Sequence, residues 1–144
     1  MKNIVVAIDF KDNEQLVLEK AYSFSKAFNS KLWLVHIAAP DPDFVGYEVG
    51  PDYIRETRAE ELRDEHKKIQ EYAGKLVNKG IEAEALLIQG ETVKTLLEKA
   101  EDLNSELIIV GHHDHNIFYQ AFIGSVSSEV LNESKIPILV IPYK

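Results

Sequence analysis

The chain alternates between two periodicities over nine successive segments, and that rhythm leaves few folds open. Short apolar runs rich in β-branched residues occupy positions 3–9 (N-I-V-V-A-I-D), 32–38 (L-W-L-V-H-I-A), 81–88, 107–110 and 136–141 (I-P-I-L-V-I). Between them, apolar residues recur at helical spacing. Val17, Leu18, Ala21, Phe24 and Phe28 place a helix over about 13–29. Leu62, Ile69, Ala73, Leu76 and Val77 mark a long second helix that ends before Gly80. Val93, Leu96, Leu97 and Ala100 mark a third, and a fourth is expected from Gly124 and Ser125 to about Glu133. Runs of this kind are buried on both faces of a parallel sheet. The order β-α-β-α-β-α-β-α-β therefore predicts an α/β fold: an open, doubly wound, five-stranded parallel sheet with helices on both faces and right-handed crossovers. The third run alternates and is expected to be less buried than the others. Pro137 falls within the last run, which suggests an edge or a bulge.

Length and composition narrow the reading further. At 144 residues the chain matches one domain, spanning 1–144, and can bury a sizeable core without staples. It has no cysteine, which excludes a disulfide framework, a thiol nucleophile and cysteine-bound zinc or iron–sulfur clusters. With 24 acidic against 16 basic side chains, the net charge is −8. That balance argues against sequence-indifferent binding to nucleic acid or to an anionic membrane. No apolar run approaches the roughly 20 residues of a membrane span. The start, Met1-Lys2-Asn3-Ile4, leads directly into a strand and is not expected to act as a signal peptide, so a cytoplasmic location is expected. Residues 39–52 hold three of the five prolines and two of the seven glycines, and read as a long exposed loop.

In open parallel sheets, ligands bind beyond the carboxyl ends of the strands, where the strand order reverses. Those ends offer Asp9, the segment His36-Ile37-Ala38, Gln89-Gly90 and Gly111-His112-His113. If the first and fourth strands flank the reversal, Asp9 and Gly111 face each other across it. The last helix would begin at Gly124-Ser125, with Ser127 and Ser128 in its first turn, and a helix N-terminus of this kind is a ready anion site. Two readings stay open on these residues. One is a mononucleotide site anchored at Asp9 with phosphates at Gly111 and Gly124-Ser125; the other is a strand-terminal glycine and an ordinary serine cap.

Over nearly its whole length the chain resembles the universal stress protein family. The likeness is carried by Ile4-Val5-Val6-Ala7-Ile8-Asp9, by the second strand with His36, and by Glu106-Leu107-Ile108-Ile109-Val110-Gly111-His112-His113. Gly124-Ser125-Val126-Ser127-Ser128-Glu129-Val130 and Ile136-Pro137-Ile138-Leu139-Val140-Ile141 complete it. The resemblance implies the strand order 3-2-1-4-5 of the adenine-nucleotide alpha-hydrolase-like fold. It implies a stress-response regulatory protein holding ATP or another adenine nucleotide between strands 1 and 4. Carried over by position, the binding residues are Ala7, Ile8, Asp9, Ile37, Val110, Gly111, His113, Asp114, Gly124, Ser125, Val126 and Ser127. It also implies a homodimer formed through the last strand, between Ile136 and Ile141.

The sequence departs from the family in two places. The glycine pattern G-x2-G-x9-G-[S/T] is met at Gly111 and at Gly124-Ser125, but its middle glycine is Asp114 here. A carboxylate there repels a triphosphate unless Mg²⁺ or Mn²⁺ bridges the two. A branch of the family shows Gly-His-His at this loop and does not bind ATP, so the chain combines marks of both branches. Its alternative reading is a dimeric interaction protein with a vestigial pocket. Phe10-Lys11-Asp12 also replaces the Gly-Ser that commonly follows the first aspartate in the family.

Other chemistry is thinly signalled. His112, His113 and His115 beside Asp114 are competent metal ligands, but neighbouring turn positions point apart and no second cluster completes a shell, so no metal site is assigned. His66 is expected to be partly buried on the stripe of the long helix, and the charged segment 55–68 to be a solvated helix face. Tyr47 and Tyr53, placed in the long loop, could flank a ligand or cover the sheet edge. There is no Walker lysine motif, no nucleophile elbow and no histidine placed to form a triad with Asp9. Any hydrolysis is expected to be slow.

Overall fold

β1, Asn3–Ala7, lies between two parallel partners, β2 (Lys31–Ala38) and β4 (Leu107–Gly111), and its Ile4, Val5 and Val6 are fully buried. The computed structural model describes residues 1–10, 14–38, 52–111 and 134–142, with side chains from residue 58 onward in the third segment. β3 (Ala83–Gln89) pairs outside β2, and β5 (Ile138–Ile141) pairs outside β4, so the order is β3-β2-β1-β4-β5. The helices are α1 (Glu14–Phe28), α2 (Asp52–Asn78) and α3 (Thr92–Asp102). The helix expected over 124–133 lies outside the described residues.

Alternation along the strands divides the core in two. Ile4, Val6, Ile8, Leu32 and Leu34 point to one face, where Val17, Leu18 and Ala21 of α1 meet Ile69, Ala73 and Leu76 of α2. Val5, Ala7, Val35, Ile37, Ile108 and Val110 point to the other, against Val93, Leu96 and Ala100 of α3. The chain steps from β1 to β2 to β3 with both crossing helices on one face. It then returns over the other face to place β4 on the far side of β1. Right-handed crossovers require this change of face, and the reversal creates the switch point between β1 and β4.

Local chemistry sets the boundaries. Glu91 caps α3, its carboxylate accepting from the backbone N–H groups of Val93 and Lys94 at 3.3 and 2.9 Å. Past α2, Gly80 takes a φ of 96°, which side chains rarely adopt. Buried Ser105 ties β1 to β4: its hydroxyl accepts from Val5 N–H at 3.2 Å and donates to the Leu107 carbonyl at 2.8 Å.

Several sequence expectations shift. β1 ends at Ala7, two residues early: Ile8 N–H still bonds to the Val35 carbonyl of β2, but the Ile8 carbonyl is taken by the His36 ring. β3 begins at Ala83, since Ile81 N–H still bonds back to the carbonyl of Leu76 in α2. Pro137 precedes β5 and does not lie within it; its carbonyl accepts from Ile108 N–H, a role that needs no amide hydrogen. As expected, β5 is an edge strand and β3 is only partly buried. Tyr53 falls within α2, not in the preceding loop, while Tyr47 lies outside the described residues. Phe28 and Val77 are 47% and 49% exposed, at the ends of stripes whose central residues are buried. His66 is exposed, because the helix turns the neighbouring Glu65 inward instead. Among the described residues, no helix is long and apolar enough to cross a membrane.

Candidate functional site

The carboxyl ends of β1 and β4 meet at the switch point because the two strands run parallel with Val6 opposite Ile109. The next residues, Ala7 and Val110, are buried, as are Ile8 and Gly111 beyond them. Ala7 and Gly111 carry little or no side chain, so neither strand end fills the gap with bulk. Ile37, 5% exposed, lies one strand further out near the end of β2, and packs beneath α3. Six of the twelve residues nominated from sequence, Ala7, Ile8, Asp9, Ile37, Val110 and Gly111, thus share one edge of the sheet. His113, Asp114, Gly124, Ser125, Val126 and Ser127 lie outside the described residues, as do His112 and His115.

The turn after β1 is held from several sides. Ile8 N–H donates to the Val35 carbonyl at 2.8 Å, and the Ile8 carbonyl accepts from His36 Nδ1 at 2.7 Å. Asp9, half-buried, follows. Phe10 then adopts a φ of 60°, in the left-handed region. For a bulky residue this costs roughly 1–2 kcal/mol, and it marks the position where the family resemblance has glycine. The Phe10 ring lies 4.6 Å from the His36 ring and 6.3 Å from that of Tyr72, with Lys68 Nζ 5.1 Å from its centre. The strained turn therefore rests on an aromatic and charged platform supplied by β2 and α2.

Beneath that platform lie two polar pairs that periodicity did not reveal. His36 Nε2 is 3.0 Å from Glu65 Oε2. Glu14, in the first turn of α1 and 8% exposed, accepts a hydrogen bond from Tyr72 Oη at 2.8 Å. Burial pushes the Glu14 carboxyl above its usual range, and the charge of Asp9 adds to the rise, while the Tyr72 hydrogen bond opposes it. The Tyr72 phenol is in turn held above the ordinary tyrosine range by its own desolvation and by Glu14. His36 was visible in the sequence as a strand-end histidine. For Glu14, Glu65 and Tyr72 the only signal was a polar residue on the margin of an apolar stripe. No group of three His, Asp or Glu side chains among the described residues is arranged to hold a metal ion.

In its described half this edge supplies a buried apolar floor, one carboxylate at Asp9, and main chain fixed in position. It can orient a flat polar ligand, and it contains no evident nucleophile and base pair.

The same architecture is found in known proteins. The model of the universal stress protein family matches residues 1–142. Universal stress protein YxiE of Bacillus subtilis is 27% identical over 143 residues, covering 96% of this chain and 97% of its own length. Among solved structures, the universal stress protein from Archaeoglobus fulgidus in complex with dAMP superposes with a TM-score of 0.63 at 20% identity, covering 98% of each chain. A universal stress protein in complex with cAMP gives a TM-score of 0.65 at 19% identity, over 99% of this chain and 98% of its own. At such identities the structural likeness speaks for the fold alone. Together with the match along the sequence, the parallel sheet, its order and its switch point establish that this chain belongs to the universal stress protein family.

Proposed function

We propose that this chain is a stress-response regulatory protein that binds an adenine nucleotide at the carboxyl edge of the sheet, between β1 and β4. The observation that carries the reading is the convergence of Ala7-Ile8-Asp9 with Val110-Gly111 at the switch point. Ligands of open parallel sheets collect at that place. The small residues at the strand ends leave room for a flat base, and Asp9 offers an acceptor for the hydroxyl or amino groups of a nucleoside. Two family members bind dAMP and cAMP, which supports the same ligand class here. The phosphates would lie against His113, Asp114 and the segment Gly124-Ser125-Val126-Ser127, with Mg²⁺ or Mn²⁺ offsetting Asp114 when the ligand is ATP. The chain would act as a homodimer through the outer edge of β5, which pairs with no further strand among the described residues, since an unpaired apolar edge is a liability unless it is covered.

One observation favours the other reading, an interaction protein with a vestigial pocket. Asp114 stands where the family pattern has a glycine, and a carboxylate at that position would repel the expected phosphates. Calorimetry with ATP, ADP and AMP, with and without Mg²⁺, separates the two. Saturable binding of at least one nucleotide is expected; no heat and no thermal shift at millimolar nucleotide would leave the interaction protein as the reading. Sedimentation equilibrium of the full chain tests the dimer, which a monomer at tens of micromolar would exclude.

A further inference from the structure

Phe10 holds a conformation that its own side chain opposes. At a φ of 60° the Cβ crowds the carbonyl oxygen that follows it. Glycine, asparagine and aspartate reach this region readily, whereas a bulky residue stays there only where its surroundings impose it. The cause therefore lies in what the ring touches. The ring packs against the core on the face that α1 and α2 cover. The His36 ring of β2 lies 4.6 Å away and tilted by 54°, and the Tyr72 ring of α2 lies 6.3 Å away. Lys68 of α2 brings its Nζ to 5.1 Å from the ring centre. Tilted aromatic pairs and a cation over a ring are each favourable, and together they offset the strain of one left-handed residue.

The residue on the other side of Asp9 is fixed as firmly. Ile8 is 1% exposed; its N–H donates to the Val35 carbonyl at 2.8 Å, and its carbonyl accepts from His36 Nδ1 at 2.7 Å. Asp9 is thus a single residue between two anchored neighbours, one held through its main chain and the other through its ring. Strain of this kind concentrates where a side chain must be kept in one place for a ligand. We infer that Phe10 is a positioning residue: its ring, seated on β2 and α2, fixes Asp9 before any ligand arrives. The ligand contact itself rests on the nucleotide reading above, while the anchoring of the turn rests on the fold. An acceptor held in advance spares the ligand the ordering of main chain around it. Asp9 is assigned to the nucleoside and not to the phosphates, so Phe10 acts on AMP and ATP alike.

Phe10→Asn separates the ring from the backbone. Asparagine enters the left-handed region more readily than phenylalanine, so local preference alone would keep or tighten the turn. Loss of the ring's seat would loosen it. In ¹⁵N relaxation of the free full chain, the Asp9 amide should be as rigid as the central strands, with an order parameter of about 0.85. In Phe10→Asn it should fall below about 0.6, and in Phe10→Tyr, which keeps the ring, it should match the parent. By calorimetry on the folded variants, Phe10→Asn should weaken AMP and ATP binding by the same factor of about ten, or about 1.4 kcal/mol. Fixing the main chain of one residue accounts for a loss of that order. A role in stability alone would lower the melting temperature and move neither readout. A parent Asp9 amide with an order parameter below about 0.6, a Phe10→Asn chain as rigid as the parent, or a loss confined to ATP would overturn the assignment. The first of these requires no variant to fold. If no nucleotide binds the parent chain, the proposed function fails, and the relaxation measurements still decide whether Phe10 holds the turn.

Discussion

Tyr72 donates its hydroxyl to Glu14 Oε2 across 2.8 Å, joining the last third of α2 to the first turn of α1 over a separation of 58 residues. Both helices lie on the same face of the sheet, and their apolar stripes already pack together through Val17, Ala21, Ile69 and Ala73. The polar pair adds direction to that packing. It sets α1 against α2 at the end nearest the candidate site, directly beside Asp9 and Phe10.

The buried carboxyl of Glu14 makes stability depend on pH with a definite sign. Its folded-state affinity for a proton lies above the ordinary value of 4.5, chiefly through desolvation. A group raised in the folded state contributes stability that is fully present below its unfolded value and is lost as pH rises through its folded one. Urea unfolding from about pH 4 upward should therefore show stability falling through the window just above the ordinary carboxylate range. Glu14→Gln should flatten that fall, because an amide can still accept from Tyr72 Oη without bearing charge. A wild-type protein that gained stability across the same window would contradict this account of Glu14.

Phe10 offers a test of backbone strain. At a φ of 60° any residue with a Cβ is disfavoured, and glycine is not. Phe10→Ala and Phe10→Gly lose the same ring contacts with His36 and Tyr72, but only the glycine relieves the strain. Phe10→Gly should be the more stable of the two by about 1 kcal/mol, the reverse of the order expected in regular structure. Equal stabilities by chemical denaturation would mean that the turn is not held left-handed in solution.

Much of the fold could be read from sequence because it rests on apolar periodicity. The runs Ile4-Val5-Val6 and Ile108-Ile109-Val110 become the central strands since only a sheet covered on both faces buries every side chain in succession. Element order predicts a doubly wound sheet, and the family resemblance supplies the strand order that brings Ala7 to Asp9 beside Val110 and Gly111. What sequence could not supply was the phase of a helix to within one residue. Leu62, Ile69, Ala73 and Leu76 are equally compatible with residue 65 or 66 on the inner margin; the fold chose Glu65, and His66 went to solvent. The Glu14–Tyr72 and His36–Glu65 pairs were illegible for a related reason. Polar partners far apart in the chain leave no periodic trace, and nothing local to Phe10 announces a left-handed backbone.

Ser105 carries a prediction about how β1 and β4 are held together. It is 7% exposed and satisfies Val5 N–H and the Leu107 carbonyl at once. Alanine would fit the space but leave both main-chain groups without their partner. Ser105→Ala should cost about 1–3 kcal/mol, read by urea unfolding, with little change in the slope of the transition. Because the lost bonds lie at the amino end of the sheet, ligand affinity at the carboxyl edge should be unchanged once the protein is folded.

In the proposed site, Asp114 would govern how phosphate is received. A carboxylate and a phosphate oxygen about 4 Å apart repel by roughly 1 kcal/mol in water and about 4 kcal/mol near a protein surface. A triphosphate brings more negative charge to that position than a monophosphate does. Asp114→Gly, which restores the family's glycine pattern, should therefore tighten ATP binding by about tenfold more than AMP binding in the absence of divalent ions, a difference of about 1.4 kcal/mol. Added Mg²⁺ should narrow that difference in favour of the parent chain, since a bridging cation removes the repulsion that the substitution relieves. Calorimetry with the two nucleotides, with and without Mg²⁺, reads all four affinities. An equal gain for ATP and AMP would show that Asp114 acts on the shape of the loop and not through its charge.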